Sequence, residues 1–241
     1  MPDIVTATDL QRRYGEGEAA VDALAGVTVA FPAGGLTAIM GPSGSGKSTL
    51  MHCLAGLDTP TSGSVTLDGV ELAGLKDAEL TRLRRDRVGF VFQAFNLLPV
   101  LTAEENITLP LTLAGRKPDP EWLDTLIATV GLDDRRTHRP AELSGGQQQR
   151  VAVARALVHK PAVVFADEPT GNLDSKSSEE IQRLLRASVD DLGQTVIMVT
   201  HDAHVAAIAD RLIVLADGRI VHDEPAGDAD HVFEVMRGIA A

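Results

Sequence analysis

Residues 41–49 read Gly41-Pro42-Ser43-Gly44-Ser45-Gly46-Lys47-Ser48-Thr49, directly after the apolar run Leu36–Met40 and before a helical pattern beginning at Lys47. The stretch fits G-x-x-x-x-G-K-[ST] in a strand–loop–helix setting. Glycines let the backbone curl until several N–H groups converge on phosphate oxygens. The helix that follows adds the partial positive charge of its N-terminus. Lys47 supplies a mobile cation for terminal phosphates and Ser48 a hydroxyl for Mg²⁺. A chain carrying this loop is expected to be α/β.

The rest of the chain is compatible with that reading. Its 241 residues are 44% hydrophobic and 23% charged, enough apolar mass for a sizeable core and too much for disorder. Cys53 is the single cysteine, so no intramolecular disulfide forms. The formal net charge of −12 repels phosphodiester backbones, which argues against a general nucleic-acid binder and requires any anion site to be built locally. Met1-Pro2-Asp3-Ile4 lacks the basic and apolar regions of a signal peptide. The uncharged stretch Ala23–Gly46 is long enough for a membrane span, but Phe31-Pro32-Ala33-Gly34-Gly35 breaks it. It is read as two strands around a turn.

Strands are expected at Ile4–Leu10, Val27–Phe31, Leu36–Met40, Ser64–Leu67, Val88–Phe92, Ala162–Ala166, Thr195–Thr200, Arg211–Leu215 and Arg219–His222. The continuous apolar runs Val163–Ala166 and Val196–Val199 suit central strands covered on both faces. Helices are expected at Lys47–Ala55, Asp77–Arg85, Ala103–Ala114, Glu121–Val130, Gly145–Val158, Lys176–Leu192 and Ala203–Ala209. From about Ala94 to Arg150 only helices and Pro-rich turns are read. The expected organisation is one domain over 1–241: a core from 1–93 and 151–222, a helical subdomain over 94–150, and a tail over 223–241.

A nucleotide hydrolase also needs a carboxylate at a strand end. The run Val163–Ala166 delivers Asp167 to the carboxyl edge of the sheet, where open α/β folds bind ligands. Glu168 beside it suits a group that positions water for attack on a terminal phosphate; alone, the pair reads equally as an exposed turn leading to Pro169. Further on, Leu143-Ser144-Gly145-Gly146-Gln147 places a good N-cap and two glycines at a helix start, a second place where backbone N–H groups meet an anion.

That last run is the signature sequence of ATP-binding cassette (ABC) ATPases, and other motifs of the chain resemble that family in order. Tyr14 sits where an aromatic residue stacks on adenine. Gln93 follows Val88–Phe92 as the Q-loop glutamine does, Asn172-Leu173-Asp174 looks like the D-loop, and His201 looks like the switch histidine. Phe95-Asn96-Leu97-Leu98-Pro99 and Asp167–Asp174 resemble the lipoprotein-release, macrolide-efflux and cell-division branch. The resemblance implies a P-loop core with an inserted helical subdomain and an N-terminal antiparallel β subdomain. It implies ATP and Mg²⁺ as cofactors, with Ser48, Gln93 and Asp167 at the metal and Glu168, His201 and Gln93 in catalysis. Tyr14, Gly41, Ser43–Thr49, Ser144–Gln147 and Asp174 would bind nucleotide, the last groups across a head-to-tail homodimer. The implied partner is a separate integral-membrane permease, which would hold the protein on the cytoplasmic face of the cell membrane; the end of the chain at Ala241 resembles a free ATPase subunit. The apolar loop Phe95–Leu101 is the candidate docking surface, or else a piece of the helical core. A soluble ABC ATPase of an iron–sulfur cluster assembly machinery is the competing reading. DNA-repair members need a coiled-coil insertion and translation factors a second cassette, neither of which is read here.

Overall fold

The computed structural model describes residues 2–17 and 20–240. Two sheets carry the fold. The smaller has the order β2-β1-β4-β5 and is antiparallel, built from β1 (Asp3–Tyr14), β2 (Val21–Pro32), β4 (Ser62–Leu67) and β5 (Val70–Glu71). The larger has the order β10-β9-β3-β8-β7-β6, built from β3 (Leu36–Met40), β6 (Val88–Phe92), β7 (Val163–Asp167), β8 (Val196–Val199), β9 (Arg211–Ala216) and β10 (Arg219–Pro225). Its pairings are parallel except at the β10 edge. All five residues of β3 and all four of β8 are buried, as continuous apolar runs in a doubly covered sheet require.

The two strands read from Ala23–Gly46 are present as β2 and β3, but they do not pair with each other. The turn at 33–35 carries the chain from one sheet to the other. Helix α1 (Lys47–Leu54) then packs between the sheets, burying Leu50, Met51, Cys53 and Leu54 in a cluster with Val5, Leu24, Ile39 and Phe165. Helix α2 (Asp77–Arg87) leads into β6. Between β6 and β7 the described residues form α3 (Ala103–Leu113), α4 (Pro120–Thr129), α5 (Gly145–Leu157) and short 3₁₀ turns. Their starts have local causes: Thr102 and Glu105 form a reciprocal capping box, and Asp119 caps α4 ahead of Pro120. Helix α5 runs unbroken through residue 150, so the helical segment and the core share one element.

Helices α6 (Ser175–Asp190) and α7 (Ala203–Ala206) complete the core, α7 ending sooner than its pattern suggested. The tail is more ordered than the sequence reading indicated. β10 extends to Pro225, and α8 (Ala229–Ala240) buries Val232 and lays Val235, Met236 and Ile239 against the core. No helix among the described residues is long and apolar enough to cross a membrane.

Candidate nucleotide site

Register across the larger sheet assembles the site. Ile39 on β3 pairs with Val199 on β8, Val199 with Asp167 on β7, and Asp167 with Phe92 on β6. One row of residues therefore crosses four parallel strands at their carboxyl ends. The residues just beyond this row are Gly41, His201, Glu168 and Gln93, from four distant parts of the chain. The position agrees with the rule that open α/β sheets bind ligands outside their carboxyl edge.

The loop after β3 is held by its neighbours as well as by its own glycines. At Gly41 (φ +144°) a Cβ would lie 2.1 Å from the Leu215 carbonyl oxygen and 2.7 Å from Ser45 Oγ. At Gly46 (φ +102°) it would lie 2.3 Å from the Ala23 carbonyl oxygen, so β2 forms one wall of the loop. Lys47 Nζ donates to the Gly41 and Pro42 carbonyls at 2.9 and 2.7 Å. Burial lowers the Lys47 pKa from its ordinary value, against the upward pull of Glu168 and Asp167, which places both carboxylates within its field. Ser45 Oγ is buried without a hydrogen-bond partner, while Ser43, Gly44 and Ser48 are exposed. A concave loop of backbone donors, a lysine, an orphaned hydroxyl and a facing carboxylate pair fit a Mg²⁺-bound polyphosphate.

Asp167 and Glu168 differ in environment. Burial pushes the Asp167 carboxyl above the usual carboxylate range; His52 pulls it down, Glu168 raises it and Lys47 lowers it. His52 lies in the last turn of α1, and nothing local in the sequence marks it. Glu168 sits in the left-handed region at φ +48°, a conformation uncommon for a non-glycine residue. Its Oε1 lies 2.8 Å from His201 Nδ1. His201 is exposed, with Glu168 more sheltered beneath it. Gln93 donates through Nε2 to Asn172 Oδ1 at 3.1 Å, and Asn172 Nδ2 donates back to the Gln93 carbonyl at 3.0 Å. The amide oxygen of Gln93 is thus the atom available to a metal.

The remaining candidates are more occupied by the fold than sequence reading indicated. Tyr14 Oη donates to Asp58 at 2.5 Å, and the Arg12 guanidinium lies over one face of the ring, 4.4 Å from its centre, while the residue as a whole stays exposed. Tyr14 pairs with Val21, two residues from the Ala23 wall of the phosphate loop. Ser144 Oγ accepts from Gln147 N–H, and Gln147 Oε1 accepts from Ser144 N–H, so both side chains close a capping box at the start of α5. Gly146 is buried, and a Cβ there would lie 2.7 Å from Ser177 Oγ, so packing of α5 on α6 itself demands glycine. Asp174 caps α6 through Ser177 N–H and Oγ, bonds that lower its pKa.

A family model for ABC transporters matches residues 24–171. The ATP-binding protein MJ0796 of Methanocaldococcus jannaschii, an uncharacterised ABC transporter component, is 44% identical over 92% of this chain and 97% of its own length. The chain belongs to the ABC transporter family. A dimeric, post-hydrolysis structure of the MJ0796 cassette with ADP and Pi superposes with TM-score 0.82 at 42% identity, covering 92% of this chain and 98% of that one. The macrolide export ATP-binding/permease protein MacB of Marinobacter nauticus is 49% identical over 92% of this chain but only 35% of its own length. The chain thus spans about a third of the MacB relatives it matches.

Two residues of this ABC cassette outside its sequence motifs carry structural roles at the site. Gln149 is fully buried on α5, and its Nε2 donates to the Phe92 carbonyl at 3.2 Å and the Pro169 carbonyl at 2.6 Å. It ties the ends of β6 and β7 just below Gln93 and Glu168. Arg155, with its pKa lowered by burial, donates to the Phe95 and Asn96 carbonyls at 2.7 and 2.6 Å, holding two non-glycine residues at φ +57° and +51°. Neither belongs to a recognisable motif; a polar residue on the apolar face of α5 was the available signal. The loop Phe95–Leu101 divides between the two readings made of it. Leu97 packs against the core, whereas Leu98 and Val100 are exposed, Val100 at 72%.

Proposed function

We propose that this chain hydrolyses ATP at the edge described above, as one half of a head-to-tail dimer that drives a membrane permease from its cytoplasmic face. The observation that carries this reading is the 2.8 Å contact between Glu168 and His201, in line with Asp167 and beside Lys47. Glu168 positions the attacking water and accepts its proton, and His201 orients Glu168 and contacts the terminal phosphate. The phosphate loop, from Gly41 to Thr49, holds the phosphates through backbone N–H groups and Lys47. Ser48, Asp167 and the Gln93 amide oxygen hold Mg²⁺, which when bound neutralises the phosphate charge. Tyr14 stacks on the adenine. The N-terminus of α5, where Ser144 is exposed, meets the nucleotide of the opposite subunit through Ser144, Gly145, Gly146 and Gln147, together with the segment around Asp174. The dimeric MJ0796 cassette with ADP and Pi supports this arrangement.

The permease follows from the MacB relatives, whose names join ATP-binding and permease functions. The exposed residues Leu98 and Val100, on the loop that follows Gln93 in the chain, are the docking contacts on this chain. Glu168→Gln tests the chemistry. Trapping of an ATP-bound dimer in size-exclusion chromatography supports the reading, and unchanged turnover refutes it.

A further inference from the structure

We propose that His222, Glu224 and His231 form a site for a zinc-like transition-metal ion that fastens the C-terminal helix to the edge of the main sheet. His222 and Glu224 are two residues apart on β10 and so lie on one face of the strand. His231 reaches them from the first turn of α8. Glu224 Oε1 lies 2.9 Å from His222 Nε2 and 2.8 Å from His231 Nε2, and all three atoms lie within 4.8 Å of one another. Around a tetrahedral ion with bonds of about 2.0–2.2 Å, neighbouring ligand atoms sit roughly 3.3 Å apart. The two histidine–glutamate edges therefore need to open by only a few tenths of an ångström, and the two imidazole nitrogens, within 4.8 Å of each other, complete the triangle.

Two features go beyond a chance meeting of polar groups. His222 Nε2 is shielded from solvent, and its neighbour Glu224 Oε1, though 2.9 Å away, is not aligned for a hydrogen bond, so an imidazole nitrogen is held towards the cluster without a well-directed partner. The turn is also shaped around the His231 ring. Gly227 (φ +68°) would bring a Cβ to 2.8 Å from that ring, and Asp228 Oδ1 accepts from His231 N–H at 2.9 Å. Asp223, between the ligands in sequence, is taken by a two-point pair with Arg211, so it is not a fourth ligand. Two imidazoles and one carboxylate suit Zn²⁺ and its first-row neighbours rather than Mg²⁺, with water completing the shell. Glu224 and His231 are partly exposed, which gives the ion a way in. The three residues belong to β10 and α8, two strands over from β3, and none of them is a residue of the ATP reading.

The test uses the whole chain, stripped of metal and free of nucleotide. Zn²⁺ is titrated in competition with a chromogenic chelator, Co²⁺ binding is followed by visible absorption, and thermal melts are run with Zn²⁺ or chelator. One equivalent per chain, tetrahedral Co²⁺ bands and a Zn²⁺-dependent rise in Tm are expected. His222→Ala and His231→Ala should each weaken binding by at least about tenfold and abolish the rise in Tm. Glu224→Gln and His231→Gln, which keep volume and hydrogen bonding, should do the same without lowering the metal-free Tm. His204→Ala, a nearby histidine outside the cluster, should bind as the parent does. Absence of stoichiometric binding at micromolar Zn²⁺ overturns the proposal, and so does binding that survives intact in the His222 and His231 variants.

Discussion

Replacing Gln149 by methionine removes two side-chain donors from a fully buried position while nearly preserving volume. Two buried hydrogen bonds contribute about 1 kcal/mol each. The Phe92 carbonyl keeps a second donor, the Phe95 N–H at 3.3 Å, so its desolvation is partly covered. The Pro169 carbonyl loses its side-chain partner, which costs a further ~1–3 kcal/mol. Against this, Gln149 Oε1 is itself buried without a partner, and its removal recovers roughly 1 kcal/mol. The net destabilisation is about 2–4 kcal/mol, which for a chain of this size lowers Tm by roughly 4–16 °C. Gln149→Glu should be worse than methionine: an ionised carboxylate has no donor and faces two carbonyl oxygens, and a protonated one satisfies only one of them. Differential scanning calorimetry of the three proteins measures this, with ATPase assays at saturating ATP beside it. Turnover should fall more than ATP affinity, since Gln149 braces the strand ends that carry Gln93 and Glu168 and touches no ligand itself. A methionine variant that melts within 2 °C of the parent, or a glutamate variant as stable as the methionine one, would refute the reasoning.

Other outcomes follow from the same geometry. Glu168→Gln should slow ATP turnover by roughly 10²–10⁴-fold while sparing nucleotide binding, as read by a coupled phosphate assay and a binding titration. Lys47→Ala should weaken ATP binding at least about tenfold, because a charge-assisted contact contributes about 1.5–3 kcal/mol; near-normal affinity would mean that the loop does not grip the phosphates. Ser144→Arg should leave monomer binding intact and block ATP-driven dimerisation in light scattering, so loss of monomer binding would contradict a contact in trans. Val100→Glu should fold and hydrolyse ATP normally but fail to be captured by detergent-solubilised permease, whereas Leu97→Glu should lower Tm because Leu97 packs on the core. Burial pushes the Cys53 thiol up from 9.0 to about 12, so it should resist a disulfide reagent until the protein is denatured. The unfolded chain releases that proton near pH 9 and the folded chain does not, so this group lowers stability as pH rises from about 9 towards 12.

Local physics wrote much of the fold into the order of the residues. The glycines at 41, 44 and 46 bend a backbone directly after a five-residue run that is apolar but for Thr37, and that combination has few structural solutions. The unbroken apolar runs at 163–166 and 196–199 need cover on both faces, and Thr102 with Glu105, or Asp119 with Pro120, start helices by contacts within one turn. These signals act over a few residues, so the chain displays them without its partners. Pairing across distance is different. That β2 and β3 part into separate sheets, and that Ile39, Val199, Asp167 and Phe92 share one row, depends on register, which emerges only when strands from four regions pack together. The tail gave no motif, yet α8 forms because an apolar stripe finds the core. Gln149 and Arg155 look like ordinary helix residues until burial leaves carbonyls of distant loops as their only partners. Likewise Leu97 and Val100 are equally apolar in the sequence, and only the packed helices decide that one is core and the other surface. Composition records what a side chain prefers; the solvent it loses, and the groups it meets instead, are set by the tertiary structure.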